Sequence, residues 1–254
     1  MWQACSRPWT PTTATSKENA SSAIKGITMN KKTQFFVGLT IASGACLVAY
    51  CLAEATAVVP SSAYLVALLL ALLASTLKVH LPGITGTISV NFLFILIAVA
   101  LFTFSETVLL ASVACILQCL WRPRSRPRIV QVAFNVATLA ISSGASYRIS
   151  HLFAGSPAQH LGVLLAVAAA FYFTADTLLV SGVLSLVQSK SLFAVWQQCY
   201  LWSFPYYLAG AAIAGLAVST GWSAGWLMSL LILPVMYLVY VFYRICVERV
   251  AETT

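Results

Sequence analysis

Asp176 is the one carboxylate that falls inside a long apolar run of this chain, Leu161–Val187. Ionised within hydrocarbon, such a group costs at least a few kcal/mol. It must therefore face the interior of a helix bundle and find a partner there, or carry a proton. One reading makes it a ligand- or proton-binding group. The other makes it a buried hydrogen bond between helices, or a residue carried toward the interface by a break in its helix. Tyr172 lies one turn before it and shares its side of a helix. Three amides occur in other apolar runs: Asn91, Gln131 and Asn135. Gln131 and Asn135 are one turn apart and face the same way. Together with Tyr172 and Asp176 these amides would line a small polar pocket. Each amide singly is better explained as interhelical glue worth about 1 kcal/mol.

The remaining reactive residues make a thinner case. Cys115 and Cys119 share a helix face at a spacing of four, which could hold a soft metal. No histidine or second cysteine pair supports them, and a free cysteine packs like a small hydrophobe. Packing is expected, with no metal site. Cys46 and Cys51 also lie in apolar runs, and Cys5, Cys199 and Cys246 fall on or near the cytoplasmic side, so structural disulfides are not expected. His80, His151 and His160 are assigned to loops, the last two to an outer loop Arg148–His160, and read as solvated. There is no Gly-rich phosphate loop, no HExxH, no GxSxG elbow and no pair of carboxylates. Catalysis is not expected, and no cofactor is implied.

The elements that would position these residues follow from composition. Of 254 residues, 60 % are hydrophobic and 8 % charged, against about a quarter charged in a soluble domain. Disorder is excluded by the excess of apolar surface. A spanning helix needs roughly 20 apolar residues. Eight runs qualify or come close: Gln34–Ala53, Ser61–Leu77, Ile88–Phe104, Thr107–Trp121, Ile129–Tyr147, Leu161–Val187, Pro205–Thr220 and Gly225–Val247. The third and fourth are short and joined only by Ser105 and Glu106, as in a tight hairpin. The sixth is ~40 Å long at 1.5 Å per residue, so it tilts, projects from the bilayer or breaks near Asp176. The runs lack the period-two alternation of a barrel. The fold class expected is all-α, a polytopic transmembrane bundle with both termini cytoplasmic.

Charge placement supports the even count. Thirteen of the 14 Lys and Arg residues fall on one side of eight spans, and only Arg148 on the other; such bias orients a membrane protein. Four of the thirteen, Arg122, Arg124, Arg126 and Arg128, form a proline-stiffened loop that reads as a topology determinant and a contact for anionic lipid. Trp121, Trp222 and Trp226 close spans at the headgroup layer. Ser191–Phe204 is too polar and short to span and reads as an interfacial helix. Small pairs at Gly210/Ala214, Ala211/Gly215 and Gly221/Gly225 permit close helix approach. Residues 1–30 read as a disordered Ser/Thr-rich tail, or as the product of a start misassigned upstream of Met29. Nucleic acid is excluded as a partner, because the basic residues cluster between apolar runs without interleaved stacking aromatics.

Leu81–Phe92, Trp121–Asn135 with its arginine loop, and Trp202–Tyr207 resemble segments of the membrane-associated sensory (MASE-type) domains of bacterial signalling proteins. The resemblance covers about residues 31–249. It implies a non-catalytic input module of the cell (inner) membrane, preceding HD-GYP phosphodiesterase, diguanylate cyclase or histidine kinase modules. Its partners would be the lipid bilayer, a cytoplasmic signalling output protein and a second copy of the chain. The sequence departs from that pattern after Tyr243–Arg249, where residues 250–254 read as a truncated cytoplasmic exit: either the output partner is a separate chain, or the gene product is a fragment. No residue here matches cyclic-dinucleotide chemistry. In this reading the five-residue pocket binds a small molecule or senses the membrane, and the last span, hinged at Pro234, passes a shift to the cytoplasm. The alternative is a solute transporter or its substrate-binding membrane subunit; a purely structural membrane protein comes third and a membrane enzyme last.

Overall fold

The computed structural model of the protein describes residues 30–55, 61–76, 78–80, 87–89, 91–121, 128–154, 157–189, 191–199 and 204–219. The tail, the arginines 122, 124 and 126, the last run Gly225–Val247 with Pro234, and the tryptophans 202, 222 and 226 lie outside the described residues. Eight helices occur among those described: α1 Lys31–Ala55, α2 Ser62–Thr76, α3 Asn91–Leu101, α4 Phe104–Leu120, α5 Ile129–Ala154, α6 Pro157–Gln188, α7 Leu192–Cys199 and α8 Phe204–Ser219. Strands β1 (Lys78–His80) and β2 (Thr87–Ser89) form a small antiparallel ribbon between α2 and α3, with Val79 opposite Ile88. Among the described residues the architecture is otherwise helical.

Among the described residues, three helices are long and apolar enough to cross a membrane: α1, α5 and the His160–Gln188 part of α6. They match the runs read from the sequence, with α5 continuing seven residues past Tyr147 and the other ends differing by three residues or fewer. The third run behaves differently from expectation. Its first residues enter β2, and its helix is only 11 residues long, ~16 Å at 1.5 Å per residue. Phe92 to Val99 are all nearly or fully buried. A helix apolar all round is a buried helix, so α3 is apolar because it is the centre of the bundle rather than because it faces lipid.

The hairpin joint also sits earlier than expected. Ser105 and Glu106 are not the link but the first turn of α4. The link is Phe102 and Thr103, because Thr103 and Glu106 close a capping box: the Thr103 amide donates to Glu106 Oε2 at 2.9 Å, and the Glu106 amide donates to Thr103 Oγ1 at 3.4 Å. The outer loop Arg148–His160 is a correction too. α5 continues to Ala154 and α6 begins at Pro157, so Arg148 and His151 are helical, and His80 lies in β1. α6 breaks at His160 (φ −137°, ψ 43°) and not at Asp176. It ends at Ser189, which takes the left-handed conformation (φ 54°) that terminates helices.

Packing follows small residues. On α2, Ala67, Ala71 and Ala74 are buried while Leu65, Leu69 and Leu73 are half exposed. Small residues inside and large ones outside is the pattern of helices packed within lipid. On α1, Gly44 lies against the backbone and Cβ of Ala137 on α5. Phe36 on α1 packs over Gly182 of α6, and Val37 clusters with Phe134 and Val183. These contacts bring Lys31, Lys32 and Arg128 to one end of the bundle. At the opposite end, Arg148 sits 4.4 Å from the Phe104 ring centre, a cation–π contact. There Ser105 also donates to the Glu54 carboxylate, and His151 stacks on Tyr147 with centroids 4.1 Å apart.

Candidate functional site

Asp176 stands on the continuous part of α6, twelve residues before its end, or ~18 Å at 1.5 Å per residue. Its side chain is 7 % exposed. Among the described residues, none forms a hydrogen bond or ion pair with its carboxylate. Tyr172, one turn earlier, and Cys115 of α4 lie within electrostatic reach of it. Cys115 interacts with Cys119 on the same face of α4, and Asn135 Nδ2 of α5 points its hydrogen at Cys119 Sγ, 3.6 Å away. Asn135, Cys119, Cys115, Asp176 and Tyr172 therefore form one polar seam where α4, α5 and α6 meet.

The seam is lined further by residues that sequence reasoning passed over. Asn135, Thr138, Ser142 and Ser146 recur at spacings of three and four, so they form one ridge on α5. Ser146 Oγ donates to the Ala168 carbonyl of α6 at 2.8 Å. Thr138 and Ser142, 1 % and 0 % exposed, have hydroxyl oxygens with no hydrogen-bond partner among the described residues. Buried polar atoms are nearly always paired, so two orphans on the ridge are informative. The signal was present in the sequence as a polar stripe of helical period within a membrane run.

The remaining expected site residues go elsewhere. The Gln131 side chain accepts from the Arg128 amide at 3.2 Å and thereby caps the start of α5, turned toward its own backbone. Asn91 is the first residue of α3 and is buried. Its neighbour Phe92 packs on Tyr206 and Tyr207 at 5.1 and 4.8 Å between ring centres, and Tyr207 lies 6.1 Å from Tyr172. Asn91 thus borders an aromatic layer adjoining the seam. Phe173, Trp196 and Phe204 complete that layer. Trp196 Nε1 donates to Thr177 Oγ1 at 2.9 Å, which ties the short amphipathic α7 to α6 one residue after Asp176.

A cavity of about 420 Å³ lies apart from the seam, between α6 and α8, lined by Leu161, Leu165, Ala211 and Gly215 among others. Its wall is apolar. No group of three or more His, Cys, Asp and Glu able to hold a metal ion occurs among the described residues.

Compared with known proteins, the chain matches no family model, no curated protein and no solved structure.

Proposed function

We propose that the chain is a multi-pass protein of the cell inner membrane, with eight crossings and both termini cytoplasmic, that acts as a non-catalytic sensory input module. In this reading the third crossing is made by β2 and the short α3 together. Non-helical backbone is tolerated at membrane depth where protein surrounds it. The single observation carrying a binding role is the Asp176 carboxylate, 7 % exposed and shared by three packed helices. An ionisable group within membrane helices is a functional-site hypothesis by default.

Input rather than transport is favoured by the course of α6. Transporter sites are typically built from helices interrupted at the substrate, whereas α6 passes Asp176 unbroken. The Trp196–Thr177 hydrogen bond supplies a route outward, because α7 lies at the end carrying Lys31, Lys32 and Arg128 and is fastened beside Asp176. The partners proposed are the bilayer and a cytoplasmic signalling enzyme, with a second copy of the chain as a further candidate.

The test is cross-linking in native membranes followed by assay of the captured protein. Capture of a cyclase, phosphodiesterase or kinase whose rate changes with Asp176→Asn supports the reading. Concentrative uptake of solute by proteoliposomes of the purified chain would overturn it in favour of a transporter.

A further inference from the structure

The two orphaned hydroxyls lie within one helical turn of Asp176 along the bundle, as independent registers show. α5 and α6 are joined across residues 155 and 156 and run antiparallel, and Ser146 is bonded to Ala168. Eight residues along each helix from that bond, Thr138 is level with Asp176. Four residues along, Ser142 is level with Tyr172. On the other side, the Asn135–Cys119 contact registers α4 against α5. One turn inward it sets Cys115 level with residues 138 and 139. Cys115 and Asp176 are also within electrostatic reach of one another. Three helices therefore present a carboxylate, the Thr138 hydroxyl and a thiol at one level, with the Ser142 hydroxyl one turn along α5 on the same ridge.

The burial of these groups limits what they can hold. Side chains exposed by 7 %, 1 % and 0 % leave no room for an organic molecule unless the helices part. The 420 Å³ cavity is elsewhere and contains none of them. An ionised carboxylate accepts only, and a hydroxyl can offer lone pairs; what such oxygens lack is a positive charge. Hard cations take oxygen ligands, and one carboxylate balances a single positive charge, whereas a divalent ion beside it would leave a net charge buried without compensation.

We propose that Asp176, Thr138 and Ser142 bind a single desolvated alkali cation of sodium size, Asp176 supplying the charge and the hydroxyls the neutral oxygen ligands. The inference rests on the binding-module reading and names its ligand. Occupancy joins α5 to α6 at the turn next to Thr177, and so next to the tether of α7.

The experiment uses the full chain in detergent, with sodium chloride, potassium chloride and choline chloride compared at equal ionic strength and pH. Radioactive sodium is expected to bind saturably at one ion per chain, and the thermal midpoint is expected to rise with sodium beyond the choline control. Asp176→Asn should abolish both effects. Thr138→Val and Ser142→Ala keep the carboxylate and should each weaken sodium binding at least tenfold, so the inference stays testable if the Asp176 variant fails to fold. Equal shifts in choline, or sodium binding unchanged in the Thr138→Val/Ser142→Ala double variant, would overturn the site. In proteoliposomes, sodium that binds without accumulating agrees with both the site and the sensory reading. Sodium that accumulates keeps the site but overturns the sensory reading. No sodium binding, with a responsive signalling enzyme still captured, removes the cation site alone.

Discussion

At Asp176 the energetics turn on what neutralises a buried carboxylate. With no cation at hand, an ionised carboxylate here would have exchanged water for Tyr172, Cys115 and hydrocarbon, and that desolvation, or the uptake of a proton that relieves it, opposes folding. Asparagine has the same shape and no charge. Asp176→Asn in sodium-free choline buffer is therefore expected to stabilise the chain by about 1 kcal/mol, or ~2–4 °C in thermal midpoint for a domain of this size. Differential scanning fluorimetry in detergent reads the shift, and a lower midpoint would show that the native carboxylate is already paired. Asp176, Tyr172 and Asn135 were legible as site candidates because polar groups in apolar runs stand out. Gln131 stood out equally, yet its side chain caps α5, since a residue three positions into a helix reaches the orphan amide before it. Thr138 and Ser142 went unread because hydroxyls are common in membrane helices, and only their missing partners set them apart.

Among the helices, α1 and α3 invert the usual link between hydropathy and lipid. α1 carries Phe35 at 73 % exposure on its lipid-facing side, while the more apolar α3 is sealed inside the bundle. α1 is held instead by close approach at Gly44, where a Cβ would meet Ala137. Gly44→Leu should force α1 away from α5 and cost about 1–3 kcal/mol, as overpacking does. Gly38→Leu, on the same helix with nothing within 4 Å of its Cβ position, should leave the unfolding midpoint unchanged or raised. Comparison of the two variants by fluorimetry separates packing from helix propensity; equal losses would mean that Gly44 is not a contact point. The start of α4 was open to a sequence reading, since Thr103 and Glu106 have the spacing of a capping box. The continuous apolar run through Phe104 hid it.

Taken together, the helices place charge unequally. Lys31, Lys32 and Arg128 share one end, and Arg148, Glu54 and Glu106 the other. If that asymmetry orients the bundle, Arg124→Cys should react with an impermeant maleimide only after the inner membrane is opened. Ser156→Cys should react in intact spheroplasts. Labelling of both positions from the same side would break the eight-crossing topology and the function built on it. The exposed leucines of α2, over a buried alanine face, show why the bundle needs lipid rather than water around it.

Membrane residence and helical class were determined by the sequence alone, because composition and run length respond to the thickness and polarity of the solvent, which acts on every segment independently. The identity of the lipid-facing helices was not, because α3 and α1 are both apolar and only packing decides which is enclosed. The site lay between these cases. A carboxylate in an apolar run is visible in one dimension, but its surroundings are set by the register of three antiparallel helices. That register is anchored by Ser146 on Ala168 and Asn135 on Cys119, contacts between residues far enough apart in the chain that no local pattern encodes them.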